Sequence, residues 1–120
     1  MSNPAKQKGT SFETLVKQHL NDNGFKAAHR TVLKGGGDTG DINGVHHDDG
    51  SQVSFQCKNQ RKFDLSGWLN DTVEQAKRLG NAVPALIVKR AGKGKSAVGD
   101  NYAVMRLDDL ITLLQKAGYR

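Results

Sequence analysis

The stretch VSFQCKN, Val53 to Asn59, alternates apolar and polar residues as a β-strand does. On a strand, Val53, Phe55 and Cys57 share one side while Ser54, Gln56 and Lys58 share the other. Two carboxylates stand upstream: Asp41, at the head of the preceding strand-like segment, and Glu13, in the first turn of an N-terminal helical segment. A hairpin that brought Asp41, the Gln56 amide oxygen and the Lys58 ammonium to one spot could seat a divalent cation. The same polar alternation is also what the wet side of an antiparallel sheet presents. Which reading holds depends on the elements that carry these residues.

Helical spacing of Phe12, Leu15, Val16, His19 and Leu20, with Gly24 as a stop, predicts a helix from about Ser11 to Asp22. Residues 1–9 are expected to form a flexible N-terminal tail. A strand over Ala27 to Leu33, the loop KGGGDTG and a strand from Asp41 to about His47 should follow. Asp49-Gly50 is a hairpin turn signal, which pairs the Asp41 strand antiparallel with the Val53 strand. Leu65, Trp68, Leu69, Val73, Ala76 and Leu79 describe a second amphipathic helix ending near Gly80, with Trp68 at a core position. The apolar run in PALIVKR is a buried strand, and the strand, helix, strand succession leaves it parallel to the Val53 strand. A basic glycine-rich loop, a strand at Tyr102 to Arg106 and a last helix complete the chain. In that helix Asp108 is the expected N-cap, Leu110, Ile111 and Leu114 point inward, and Gly118 lies beyond the end. The order αβββαββα describes a single α/β domain, a sandwich with a mixed central sheet.

Composition agrees with one domain. A chain of 120 residues with 36% hydrophobic and 25% charged residues can bury a core without disulfides. The single cysteine, Cys57, reads as a small buried hydrophobe and suits a reducing cytoplasm. AVPALIV is too short to span a bilayer and MSNPAKQKG lacks a signal-peptide apolar region, so no membrane partner is expected. The net charge of +6 is uneven, with 7 basic and 6 acidic groups in the first 60 residues and 11 and 6 in the last 60. Such a surplus favours a polyanionic partner.

Three short motifs fail on context. Gly35, Gly37 and Gly40 have the G-x-G-x-x-G spacing but lead into a strand, where a dinucleotide site needs a helix. The GKS at Gly94 to Ser96 lacks the first glycine of a phosphate-binding loop, because Lys89 occupies that place. His46, His47, Asp48, Asp49 and Cys57 do not form a closed zinc set, since adjacent strand residues point in opposite directions.

The pattern that survives is GTSFETLVKQHL, then GGGDTGDING, then SFQCKN, in that order. It resembles the PD-(D/E)xK, or restriction endonuclease-like, nuclease superfamily, and within it the archaeal and phage Holliday junction resolvases. In these a helix supplies a glutamate, a glycine-rich loop leads to an aspartate, and the hairpin partner strand carries acid-x-Lys. The resemblance covers Gly9 to Arg90 and extends toward the C-terminus. It implies a Mg²⁺-dependent endonuclease, with Mn²⁺ able to substitute, in which Glu13, Asp41, Gln56 and the backbone carbonyl of Cys57 hold the ion. Lys58 then orients the water or neutralises developing charge.

By the same resemblance the partners are DNA, in particular branched or four-way junctions, and a second copy of the chain, in recombination or repair. Arg30, Lys34, Arg61, Lys62, Lys93 and Lys95 are the expected phosphate contacts. One departure matters. Gln56 stands where the family has an acid, so the site loses a charge unless Asp38 compensates. The remaining readings are another nuclease of this superfamily, acting on duplex, nicked or flap DNA, or a DNA-binding module that cuts poorly. Blander roles stay open for single residues. Thr10-x-x-Glu13 fits a capping box, Asp41 fits a turn, and Gln56 and Lys58 fit a solvated strand face.

Overall fold

In the structure, a computed structural model, residues 4–32 and 36–120 are described. Lys34 and Gly35 lie outside them. The first helix, α1, spans Pro4–Asp22 and begins two turns before the expected Ser11, so residues 4–9 are helical. Pro4 stands at its first position, where a missing N–H costs nothing. The segment AKQKG has no apolar period, so nothing in the pattern of hydrophobic residues marks this extension. Thr10 is therefore interior, its carbonyl accepts from the Thr14 hydroxyl at 3.0 Å, and it cannot cap the helix. The capping-box account of Glu13 falls with it.

The strands are β1 (His29–Arg30), β2 (Ile42–His46), β3 (Gln52–Lys58), β4 (Val83–Val88) and β5 (Tyr102–Val104). Two further helices, α2 (Leu65–Arg78) and α3 (Leu107–Lys116), complete the expected order, with a 3-10 segment over Lys95–Asp100 before β5. The strands form one five-stranded sheet in the order β1-β2-β3-β4-β5. β3 and β4 run parallel, as the crossover through α2 requires, and every other neighbouring pair is antiparallel. Strand β1 is shorter than the expected Ala27–Leu33, and both its residues are exposed. It pairs with β2, whose register against β3 shifts between Ile42 and Val45. Gly44, at φ 94°, allows this, because a Cβ there would stand 2.1 Å from the Ala27 carbonyl oxygen.

Two layers cover the sheet. On one face Phe12 and Val16 of α1 join Ile42, Val45 and Cys57, with Val53, Phe55 and Ile87 packed alongside. On the other, Trp68 of α2 meets Leu86 and Val88. The Ser54 and Gln56 side of β3 therefore lies beneath α2 and is buried, at 0% and 8% exposure, instead of forming a wet sheet surface. α2 meets it with Thr72 and Gln75, both buried, while Leu65 is exposed. A polar seam results. The Ser54 hydroxyl donates to the Thr39 carbonyl at 2.6 Å, and the Gln75 amide donates to Asp38 at 3.0 Å.

The last helix departs from expectation. Arg106 occupies the N-cap position, and Asp109, not Asp108, turns inward and pairs with the Arg106 guanidinium at 2.8 and 3.0 Å. Leu110, Ile111 and Leu114, expected inward, are exposed together with Leu107. Lys116 ties the end of α3 to Asp49 of the β2–β3 turn at 2.5 Å. Among the described residues no helix is long and apolar enough to cross a membrane.

Gly40 is the tightest constraint next to Asp41. Its φ is 107°, and a Cβ would meet Ser54 Oγ at 2.4 Å and the Phe55 carbonyl oxygen at 3.0 Å. Gly40→Ala is expected to lower unfolding stability by about 2 kcal/mol, from strain and displacement of the loop. Urea denaturation checks this as a lower midpoint at unchanged slope.

Candidate active site

Asp41 is delivered by the glycine loop. The Gly40 amide donates to Asp38 Oδ1 at 2.9 Å, which folds the loop tightly onto β3. The Asp41 backbone N–H then donates to the Phe55 carbonyl at 2.7 Å, and the Cys57 N–H donates to Asp41 Oδ2 at 2.8 Å. Asp41 stands just before β2 and is held by the backbone of β3, while its own carbonyl accepts from the Thr31 N–H at 2.9 Å.

A cavity of about 490 Å³ is lined by Glu13, Asp41, Gln56, Cys57 and Lys58 together, with Lys8, Gly9, Asn59, Gln60 and Arg61 at its margin. Each has a structural source. Glu13 sits midway along α1, Gln56 and Lys58 come from the central strand β3, and Asp41 from the turn before β2. The Lys58 ammonium lies 5.9 Å from the centre of the Trp68 ring, so α2 both packs the core and holds this lysine in place. Glu13 pairs with Arg30 at 3.6 Å. Arg30 is thus the orienting partner of a cavity carboxylate, not an unpaired cation beside it.

The electrostatics are those of a charge cluster short of a cation. Burial above all, with the Glu13 and Asp38 charges adding to it, leaves the Asp41 carboxyl raised from 3.8 to about 6. The Cys57 N–H and the Lys58 ammonium pull it back only in part. Burial, then the charges of Asp41 and Glu13, drive the Cys57 thiol up, which keeps it an uncharged core residue. Gln56 Oε1 is buried and has no hydrogen-bond partner. A buried amide oxygen without a donor is costly, and a cation bound beside it removes that cost. Among the described residues no three His, Cys, Asp or Glu side chains form a metal-holding group. Glu13, Asp41 and Gln56, which line the cavity, carry hard oxygens of the kind a divalent cation takes. Asp38 does not line the cavity, and both its carboxylate oxygens are engaged, by Gly40 and by Gln75. It bears on Asp41 through charge alone.

The expected phosphate contacts spread widely. Arg61 lines the cavity, whereas Lys62 is exposed outside it. Lys93 lies 3.9 Å from Asp100, and Lys95 opens the 3-10 segment, away from the cavity. Lys34 lies outside the described residues. Lys8 was not singled out from sequence, because the turn that carries it has no apolar period. Asn59 and Gln60 follow the strand in plain view, but only proximity to Lys58 marked them.

The shifted carboxyl has a thermodynamic consequence. Asp41 binds its proton more tightly in the fold than in the unfolded chain, so its contribution to stability is full below 3.8 and is lost as pH rises through about 6. Asp41→Asn is expected to stabilise the metal-free protein at pH 7.5 by about 2 kcal/mol, with the gain gone below pH 4. Thermal unfolding in chelator at the two pH values reads this directly.

No curated protein and no solved structure matches the chain. A family model does, that of phage putative PDDEXK endonuclease, over residues 4–119. It spans the helix of Glu13, the loop of Asp41, the Gln56-x-Lys58 strand and all that packs around them. The chain belongs to the PDDEXK endonuclease family, a nuclease with a restriction endonuclease-like fold.

Proposed function

We propose that this nuclease is a metal-dependent, structure-selective DNA endonuclease that hydrolyses phosphodiester bonds in branched DNA, with four-way junctions as its substrate. One observation carries the reading: Glu13, Asp41, Gln56 and Lys58 line a single open cavity, and Gln56 has a buried amide oxygen without a hydrogen-bond partner. Glu13, Asp41, Gln56 and the Cys57 carbonyl would hold Mg²⁺, or Mn²⁺ in its place. A divalent cation bound there polarises the scissile phosphate and lowers the pKa of the attacking water. Lys58, steadied by Trp68, neutralises charge gathering on the phosphoryl oxygens. Arg30 holds Glu13 in position, and Arg61 with Lys8 receives the flanking phosphates. Lys34, Lys62, Lys93 and Lys95 extend the basic surface beyond the cavity.

The neutral Gln56 favours a second reading, a DNA-binding module of the same fold that cuts weakly. Incubation of a labelled mobile four-way junction and a linear duplex of the same sequence, with and without Mg²⁺, separates these. The wild type is expected to cut the junction only with Mg²⁺, and Asp41→Asn to slow it about a hundredfold or more. Junction binding without cleavage in Mg²⁺ or Mn²⁺, with cleavage appearing on Gln56→Glu, establishes the weak module. Cleavage indifferent to Asp41→Asn overturns the site.

Cutting two symmetry-related strands suits a two-fold dimer. Support comes from α3, whose exposed Leu107, Leu110, Ile111 and Leu114 form a helical stripe left uncovered among the described residues. Antiparallel pairing of two such helices buries the stripes together. It also sets the acidic first turn, with Asp108, against the basic end of the other copy, with Arg120. Light scattering is expected to give a dimer for the wild type and a folded monomer for Leu110→Asp.

A further inference from the structure

Beyond Arg61 the candidate active site does not end. A second cavity of about 210 Å³ shares Lys8, Asn59, Gln60 and Arg61 with it and adds Phe63 and Lys89. Phe63, the aromatic residue of its lining, is incompletely packed. Phe63 leans on Trp68 at 6.0 Å between ring centres and meets Tyr102 of β5 edge-on at 6.2 Å, yet Phe63 and Tyr102 each remain 44% exposed. The Arg90 guanidinium lies 5.6 Å from the centre of the Tyr102 ring. Lys8 and Arg61 have no carboxylate partner among the described residues. Half-exposed rings beside unpaired cations are what a single-stranded nucleic acid requires: a flat face for a base and charge for its backbone.

Resting on the nuclease reading for the neighbouring phosphate, we propose that Phe63 and Tyr102, with Lys8 and Arg61, form a subsite for an unpaired nucleotide next to the scissile bond. Duplex bases are stacked on one another and cannot reach the Phe63 ring. DNA with a splayed or displaced strand can place a base there while Arg61 spans the two cavities through the intervening phosphate. The subsite therefore gives this nuclease a means of preferring branch points over continuous duplex that does not depend on reading base edges.

The test is fluorescence anisotropy of the full chain in EDTA, with splayed-arm and blunt duplexes sharing one sequence. Phe63→Leu keeps apolar bulk at Trp68 but removes the stacking face. It is expected to weaken splayed-arm binding about tenfold, and at least fivefold more than blunt-duplex binding. Tyr102→Leu should act in the same direction. Equal losses on both DNAs, or none, overturn the subsite. A 2-aminopurine base in the unpaired arm reads the wild type without any substitution: quenching on binding supports stacking, and unchanged emission refutes it. Because these measurements need no metal, failure to cleave any DNA would strike the nuclease reading alone and leave the subsite's own outcome distinct.

Discussion

The candidate site depends on one short contact, the Cys57 N–H donated to the Asp41 carboxylate at 2.8 Å. Together with the bond from the Asp41 N–H to the Phe55 carbonyl at 2.7 Å, it locks the end of the glycine loop against β3. The carboxylate, the Gln56 amide and the Lys58 ammonium then share a cavity without any of them being placed by a flexible loop alone. Gly40 is what allows the backbone to come this close, since any side chain would collide with Ser54 and Phe55. Geometry of this kind, fixed by main chain, survives the desolvation that a buried acid imposes.

That desolvation is the cost of the arrangement. Asp41 is held largely out of water, beside Glu13 and within range of Asp38, with only one backbone donor and Lys58 to offset them. Gln56 adds a buried oxygen with no donor of its own. Binding sites concentrate strain of this sort where a ligand will relieve it. A neutral amide at position 56 spares the fold another buried charge beside Asp41. The polar seam beneath α2 extends the logic: Ser54 ties the loop to the sheet through the Thr39 carbonyl, Gln75 ties the helix to the loop through Asp38, and the buried Thr72 hydroxyl is satisfied within α2 by the Trp68 carbonyl.

Two helix surfaces illustrate different solutions to exposure. α2 buries Trp68 and uses its ring to steady Lys58, so packing and site geometry are one interaction. α3 keeps its strongest apolar stripe outside, closes its first turn with the Arg106–Asp109 pair and is tied to the β2–β3 turn by Lys116 and Asp49. The stripe reads in sequence as a core face because amphipathic periodicity reports that a face is apolar, not what will cover it.

Periodicity, turn chemistry and motif order were enough to derive from the sequence the succession αβββαββα, the β2–β3 hairpin, the parallel β3–β4 pair and the grouping of Asp41 with Gln56 and Lys58. These are local or nearest-neighbour consequences of side-chain alternation, glycine conformation and the chirality of crossovers. The first two turns of α1 escaped because Ala5 to Gly9 carry no apolar repeat, and with them went the placement of Lys8 and the true position of Glu13 inside the helix. Only the tertiary structure decided that the polar side of β3 is buried beneath α2, that Arg30 serves Glu13, that Asp38 is spent on Gly40 and Gln75, and that Asp41 titrates near 6. Each of those depends on which distant segment excludes water from a given side chain, and neither spacing nor residue type along the chain carries that information.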